Sequence, residues 1–99
     1  MYGSITLLGV LGVMFMLSMY EQNPVSRGKD IYENKCMRCH GSDGTRGLLG
    51  AKNLQQSLLQ DSAITRIVLR GKKFMPAYKS KLTAKEIEDV TFYVKSLRK

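Results

Sequence analysis

Residues 36–40 read Cys-Met-Arg-Cys-His, and no other stretch of the chain constrains the outcome as strongly. Two thiols three residues apart on a helical turn point the same way. They reach two groups on one flat ligand, and His40 then offers an imidazole to whatever lies at that ligand's centre. This is the attachment pattern of a c-type haem, with thioethers from Cys36 and Cys39 to the vinyl groups and His40 as an axial ligand of the iron. Competing readings fit less well. A structural zinc site wants four ligands, whereas the sequence holds two Cys and one His. A dithiol redox motif wants a βαβ setting, and the flanks here read as helix and glycine-rich loop. A disulfide between the two cysteines leaves His40 without a role.

The second axial ligand follows by elimination. With one histidine, bis-His ligation within the chain is excluded, and methionine is the usual alternative. Of the six methionines, Met1, Met14, Met16 and Met19 fall in the first 20 residues, and Met37 sits inside the motif, on the wrong side of the porphyrin. Met75 remains, in the segment Gly71-Lys72-Lys73-Phe74-Met75-Pro76-Ala77-Tyr78, which Pro76 stiffens. A thioether is soft and neutral, which suits iron at a raised reduction potential.

Charge divides the chain in two. All 16 Lys and Arg lie between Arg27 and Lys99, and the net charge is +8. Residues 1–20 carry no charged side chain, and 14 of them are hydrophobic. As a helix, Tyr2 to Tyr20 would reach roughly 28 Å, the thickness of a bilayer core. Tyr2 and Tyr20 stand where interfacial aromatics are expected. No alanine precedes Ala51, so no A-x-A cleavage site follows the run. These features predict an N-terminal transmembrane anchor or uncleaved signal segment over 1–20, a linker over 21–26, and a single domain over 27–99. Arg27 and Lys29 after the run argue by charge against export of the domain, but the haem-attachment reaction belongs outside the cytoplasm. The expected location is therefore the cytoplasmic membrane, single-pass, with the domain on the periplasmic side.

The domain reads as helices. Val25 to Arg38 forms the first, behind Pro24 and with Ser26 as its cap. Gly28, Tyr32 and Cys36 share one stripe, and Gly28 admits a close helix neighbour. Ser62 to Arg70 forms another, capped by Asp61 or Ser62 and stopped by Gly71. Leu54 to Leu59 supplies one further short turn. Thr83-Ala84-Lys85-Glu86 is a capping box opening the last helix, whose stripe is Ile87, Val90, Val94 and Leu97. Gly28 and Tyr32 are expected to meet Val90 and Tyr93. Gly41, Gly44, Gly47 and Gly50 mark a turn-rich wrap after the motif. No alternating strand pattern is present. So small a core needs help, and a buried porphyrin would supply it.

The chain resembles the class I c-type cytochromes carried on an N-terminal anchor. The likeness rests on Gly28-x-x-x-Tyr32-x-x-x-Cys36-x-x-Cys39-His40-Gly41, on Gly50-Ala51-Lys52-Asn53-Leu54, on Met75-Pro76-Ala77, and on the Leu82-Thr83 to Leu97 helix. The resemblance implies an all-α cytochrome c fold of three to four helices around one covalent haem c, preceded by one transmembrane helix. It implies an electron carrier, not an enzyme, that shuttles single electrons between respiratory complexes at the outer face of the cytoplasmic membrane. The alternative is a fixed haem c subunit of a larger oxidase or reductase. It also implies that His40 donates to a backbone carbonyl, here placed near Leu48 to Ala51, and makes Arg46, Lys52 and Asn53 the candidates for the haem propionates.

The basic surface points to partners. Lys72, Lys73, Lys79 and Lys81 flank the Met75 segment, and Lys35 and Arg38 flank the attachment motif. Such a ring would steer docking to acidic faces of membrane-bound donor and acceptor complexes. Nucleic acid is not expected, because the Lys-rich runs lack interleaved aromatics for stacking.

Overall fold

The computed structural model describes residues 23–99, in which four α-helices follow one another with no strand between them. The first, α1, runs Pro24–Lys35. Its cap is Asn23, not Ser26: Asn23 is extended, and its Oδ1 accepts from the Ser26 amide at 2.8 Å. Pro24 then takes the first helical position, where it has no amide to lose. Helix thus starts among the residues expected to form a linker. Nor does α1 continue to Arg38. It stops at Lys35, Cys36 departs from helical geometry at φ −114°, and α2 resumes over Met37–His40.

Beyond α2 the chain wraps through turns. Gly41, Gly44, Gly47 and Gly50 all take φ between 70° and 88°, and Leu48–Gly50 closes a single 3₁₀ turn. Next comes α3, Asp61–Arg70. Gln60 is its cap residue and makes no side-chain capping bond, so neither Asp61 nor Ser62 caps it. Asp61 instead stands in the first turn, where a carboxylate suits the helix dipole, and pairs with Lys95 at 2.7 Å. The last helix, α4, spans Ala84–Ser96 and opens on the expected capping box. Thr83 Oγ1 accepts from the Glu86 amide at 3.1 Å, and Glu86 Oε1 accepts from the Thr83 amide at 2.9 Å.

The helices pack because their apolar stripes meet. Tyr32 of α1, Ile64 and Val68 of α3, and Ile87, Val90 and Val94 of α4 are buried together with Tyr78. The α1–α4 crossing is the closest approach, and Gly28 is its cause. A Cβ there would stand 2.2 Å from the Asp89 carbonyl oxygen and 2.8 Å from Tyr93 Cβ. One turn along, the Tyr32 and Tyr93 rings meet at 5.2 Å between centroids, tilted by 52°. At the same crossing a carboxylate is buried, a feature periodicity alone did not reveal. Asp89 is 1% exposed. Its Oδ2 takes Arg27 Nε at 2.9 Å and its Oδ1 lies 3.0 Å from Lys85 Nζ.

Among the described residues no helix is long and apolar enough to cross a membrane. The 13 residues of α4 reach only about 20 Å at the α-helical rise, and one face of it is charged. The expected anchor over residues 1–20 lies outside the described residues.

A candidate covalent haem site

The five motif residues sit at one helix joint. Cys36 closes α1, and Cys39 and His40 complete α2. Both cysteines are free thiols and half-buried. Burial pushes the Cys36 thiol up to about 11, with the charge of Cys39 adding to the shift. It therefore stays a neutral thiol before attachment. Two buried phenols hold the ends of the segment. Tyr32 donates its hydroxyl to the Gly41 carbonyl at 2.6 Å, and Tyr78 donates its own to the Lys35 carbonyl at 3.0 Å. Burial raises the pKa of both phenols, so they remain donors. The helix stripe singled out Tyr32 in advance. Nothing local tied Tyr78 to Lys35, 43 residues away.

His40 is oriented by its other nitrogen. Nδ1 lies 3.1 Å from the Lys52 carbonyl oxygen. A proton on Nδ1 leaves Nε2 with a free lone pair and a fixed direction, as a metal-ligating imidazole requires. The carbonyl was expected between Leu48 and Ala51; it belongs to the next residue. The 3₁₀ turn explains the difference. Ala51 donates back to the Leu48 carbonyl at 3.1 Å, and Gly50 to that of Gly47 at 3.3 Å. The chain then extends at Ala51 (ψ 134°) and presents Lys52.

Met75 is carried on a tight hairpin. The Met75 amide donates to the Lys72 carbonyl at 2.9 Å and the Lys72 amide to that of Met75 at 3.1 Å. Lys73 takes the left-handed φ of 55° at the turn. Gly71 lets the hairpin fold back onto α3, since a Cβ on it would meet the Met75 carbonyl oxygen at 2.6 Å. After Pro76 the chain is fastened to the end of α3, Tyr78 donating to Val68 at 2.9 Å and Lys79 to Leu69 at 3.2 Å. Met75 itself is half-buried and packs against the core. Of the propionate candidates, Asn53 commits its Oδ1 to the Gln55 amide at 3.0 Å. Arg46 and Lys52 are exposed.

These residues fit a haem c. Two thiols and an imidazole with a free Nε2 share one short stretch, and Met75 supplies a thioether. Leu48, Leu49, Leu58, Leu59 and Phe74 are exposed on the segments between the motif and the Met75 hairpin, apolar surface of the kind a flat apolar ring covers. Comparison with known proteins agrees with the chemistry. Residues 23–94 match the family described as cytochrome C oxidase, cbb3-type, subunit III. The chain belongs to the class I c-type cytochromes. It binds one haem c covalently, and its family is one of electron transfer.

Individual relatives of this cytochrome are cytochromes c6. A cytochrome c6-like protein of Nostoc sp. is 41% identical over a 73-position alignment covering 68% of this chain and 65% of its own length. The match thus spans just under two thirds of that relative. Cytochrome c6 of Alaria esculenta is 34% identical over 71% of this chain and 87% of its own. That of Bumilleriopsis filiformis is 35% identical over 73% and 90%. No solved structure gives a significant match. The expected location, single-pass in the cytoplasmic membrane, is overturned by these findings. The relatives are cytochromes c6, and no described helix can span a bilayer.

Proposed function

We propose that this cytochrome passes single electrons between two protein partners, with Cys36 and Cys39 holding the haem and His40 Nε2 and Met75 Sδ filling both axial positions of its iron. When bound, the haem supplies a centre that gains or loses one electron. The chain's own residues would hold its ligands in place. The Lys52 carbonyl holds the His40 ring in one orientation, and the Lys72–Met75 hairpin, fastened to α3, holds the thioether. The observation that carries the proposal is this double fastening: with both ligand-bearing segments fixed, no substrate needs to reach the iron and little has to rearrange on electron transfer.

The sign of the partner's docking face is read from the basic residues: Lys72, Lys73, Lys79 and Lys81 flank the Met75 hairpin, and Lys35 and Arg38 flank the attachment motif. The Tyr78–Lys35 hydrogen bond links the two segments that carry them. They support docking against acidic faces of a donor and an acceptor, membrane-bound complexes of the respiratory type. A second reading, a fixed haem c subunit of an oxidase, is favoured by the description of the matching family.

The axial ligands are tested by visible spectra of the purified ferric and ferrous protein, wild type and Met75→Ala. The weak charge-transfer band at the red edge of the ferric spectrum is expected in the wild type and absent from the variant. A band that survives the substitution removes Met75 from the iron.

A further inference from the structure

We infer that Tyr78 is a positioning residue for the sixth ligand, its hydroxyl latching the Met75 hairpin to the helix that carries the haem thioethers. The inference rests on the axial role proposed for Met75. Tyr78 lies three residues beyond Met75 and is 6% exposed. Its amide donates to Val68, at the end of α3, and its hydroxyl donates to Lys35, immediately before Cys36. Among the described residues no other hydrogen bond joins residues 71–79 to residues 35–41. One side chain therefore connects the segment that carries Met75 to the segment that carries the two cysteines.

The rest of the hairpin shows why a latch is needed. Its own hydrogen bonds, Lys72 with Met75, close the turn but tie it to nothing else, and its attachments to α3 begin only at Tyr78. Lys72, Lys73 and Phe74 are exposed, and Lys73 holds a left-handed φ that an L side chain adopts at a cost. Beyond Pro76 the hairpin is held by the Tyr78 and Lys79 amides on α3 and, toward the attachment motif, by the Tyr78 hydroxyl on Lys35. The Tyr78 ring belongs to the same buried cluster as Ile64, Val68 and Val94, and Lys81 Nζ covers it at 5.7 Å from the centroid. Its hydroxyl ends on a carbonyl left available because Cys39, four residues on, donates its amide to Cys36 and not to Lys35.

Tyr32 provides the internal control. Its hydroxyl makes the same kind of bond, phenol to carbonyl, but to Gly41 on the His40 side. Tyr78→Phe and Tyr32→Phe should each lower the denaturation midpoint of the haem-loaded protein. They should differ in how easily an added ligand displaces Met75. Imidazole titrated into ferric Tyr78→Phe should bind about 3- to 10-fold more tightly than to wild type, the size of one net hydrogen bond, with loss of the red-edge band at correspondingly lower imidazole. Ferric Tyr32→Phe should bind imidazole within about twofold of wild type. An unchanged affinity in Tyr78→Phe, or an equal rise in both variants, overturns the latch while leaving Met75 as ligand. A red-edge band missing from the wild type, or kept in Met75→Ala, overturns the axial role of Met75 and the latch with it.

Discussion

Asp89 shows how a single residue can be set by its surroundings. Burial alone would raise its carboxyl, yet the Arg27 hydrogen bond and charge, with those of Lys85, bring it below the usual carboxylate range. The sign of the consequence follows. A depressed folded-state pKa contributes stability that is fully present above the unfolded value, about 3.9, and is lost as pH falls through the folded one. Asp89→Asn is therefore expected to destabilise the haem-loaded protein by about 1–3 kcal/mol at pH 7, since it weakens hydrogen bonds to charged groups in a buried site. In denaturant titrations the gap between wild type and variant should stay constant above about pH 5 and close below pH 4. A gap independent of pH down to pH 2 would show that the carboxylate charge is not what stabilises the crossing. The carboxylate was invisible in the sequence because an acid on a helix is normally a solvated one, as the exposed Glu88 beside it is. It is buried because Gly28 draws α1 onto the α4 backbone at Asp89 itself.

Among the elements, the cleanest correspondence is α4, and the least clean is the first helix. Thr83 and Glu86 satisfy each other's amides within four residues, so their chemistry was legible before any tertiary contact. Thr83→Ala should lower the stability of the haem-loaded protein by about 1 kcal/mol, and Thr83→Ser should restore most of it. Equal loss in both variants would mean that packing of the Thr83 methyl, and not its hydroxyl, matters. The first helix was expected unbroken from Val25 to Arg38. It breaks at Cys36 because α2 turns the motif residues toward one another, with Cys39 and His40 both donating to the Cys36 carbonyl at 3.3 Å and 3.1 Å. Helical periodicity continues through such a joint, so the joint leaves no trace in the pattern. For α3 the expected caps failed for a different reason. Gln60 takes the extended conformation of a cap residue but makes no side-chain capping bond, and Asp61 turns to Lys95 on α4 instead.

At the scale of the whole molecule, the described domain has a small core. Seven hydrophobic residues are buried, while Leu49, Leu58 and Phe74 stand well exposed. Domains of this size rarely hold together on such a core alone. A Cys36→Ala, Cys39→Ala variant produced without haem should therefore lack a cooperative thermal transition and show much reduced helical circular dichroism. A haem-free chain that melts cooperatively would show that the four helices need no porphyrin. The same economy explains why so many hydrogen bonds converge on the site. Tyr32, Tyr78 and the Lys52 carbonyl fasten three separate segments around the motif, where a larger protein would rely on packing.

What the sequence determined by itself was chemistry that is local. The spacing of Cys36, Cys39 and His40, the capping box at Thr83 and the glycine-rich wrap follow from residues close in the chain, whereas Met75 was reached by counting ligand types over the whole sequence. What only the tertiary structure decided was which distant groups meet. Lys52, and not a residue from Leu48 to Ala51, orients His40, because the 3₁₀ turn over Leu48–Gly50 ends before the chain extends at Ala51 and presents the next carbonyl. Tyr78 reaches Lys35 across 43 residues, and Asp89 is buried between Arg27 and Lys85. Such pairings depend on helix crossing and loop length, and periodicity records only which face a residue occupies, never which partner that face will find.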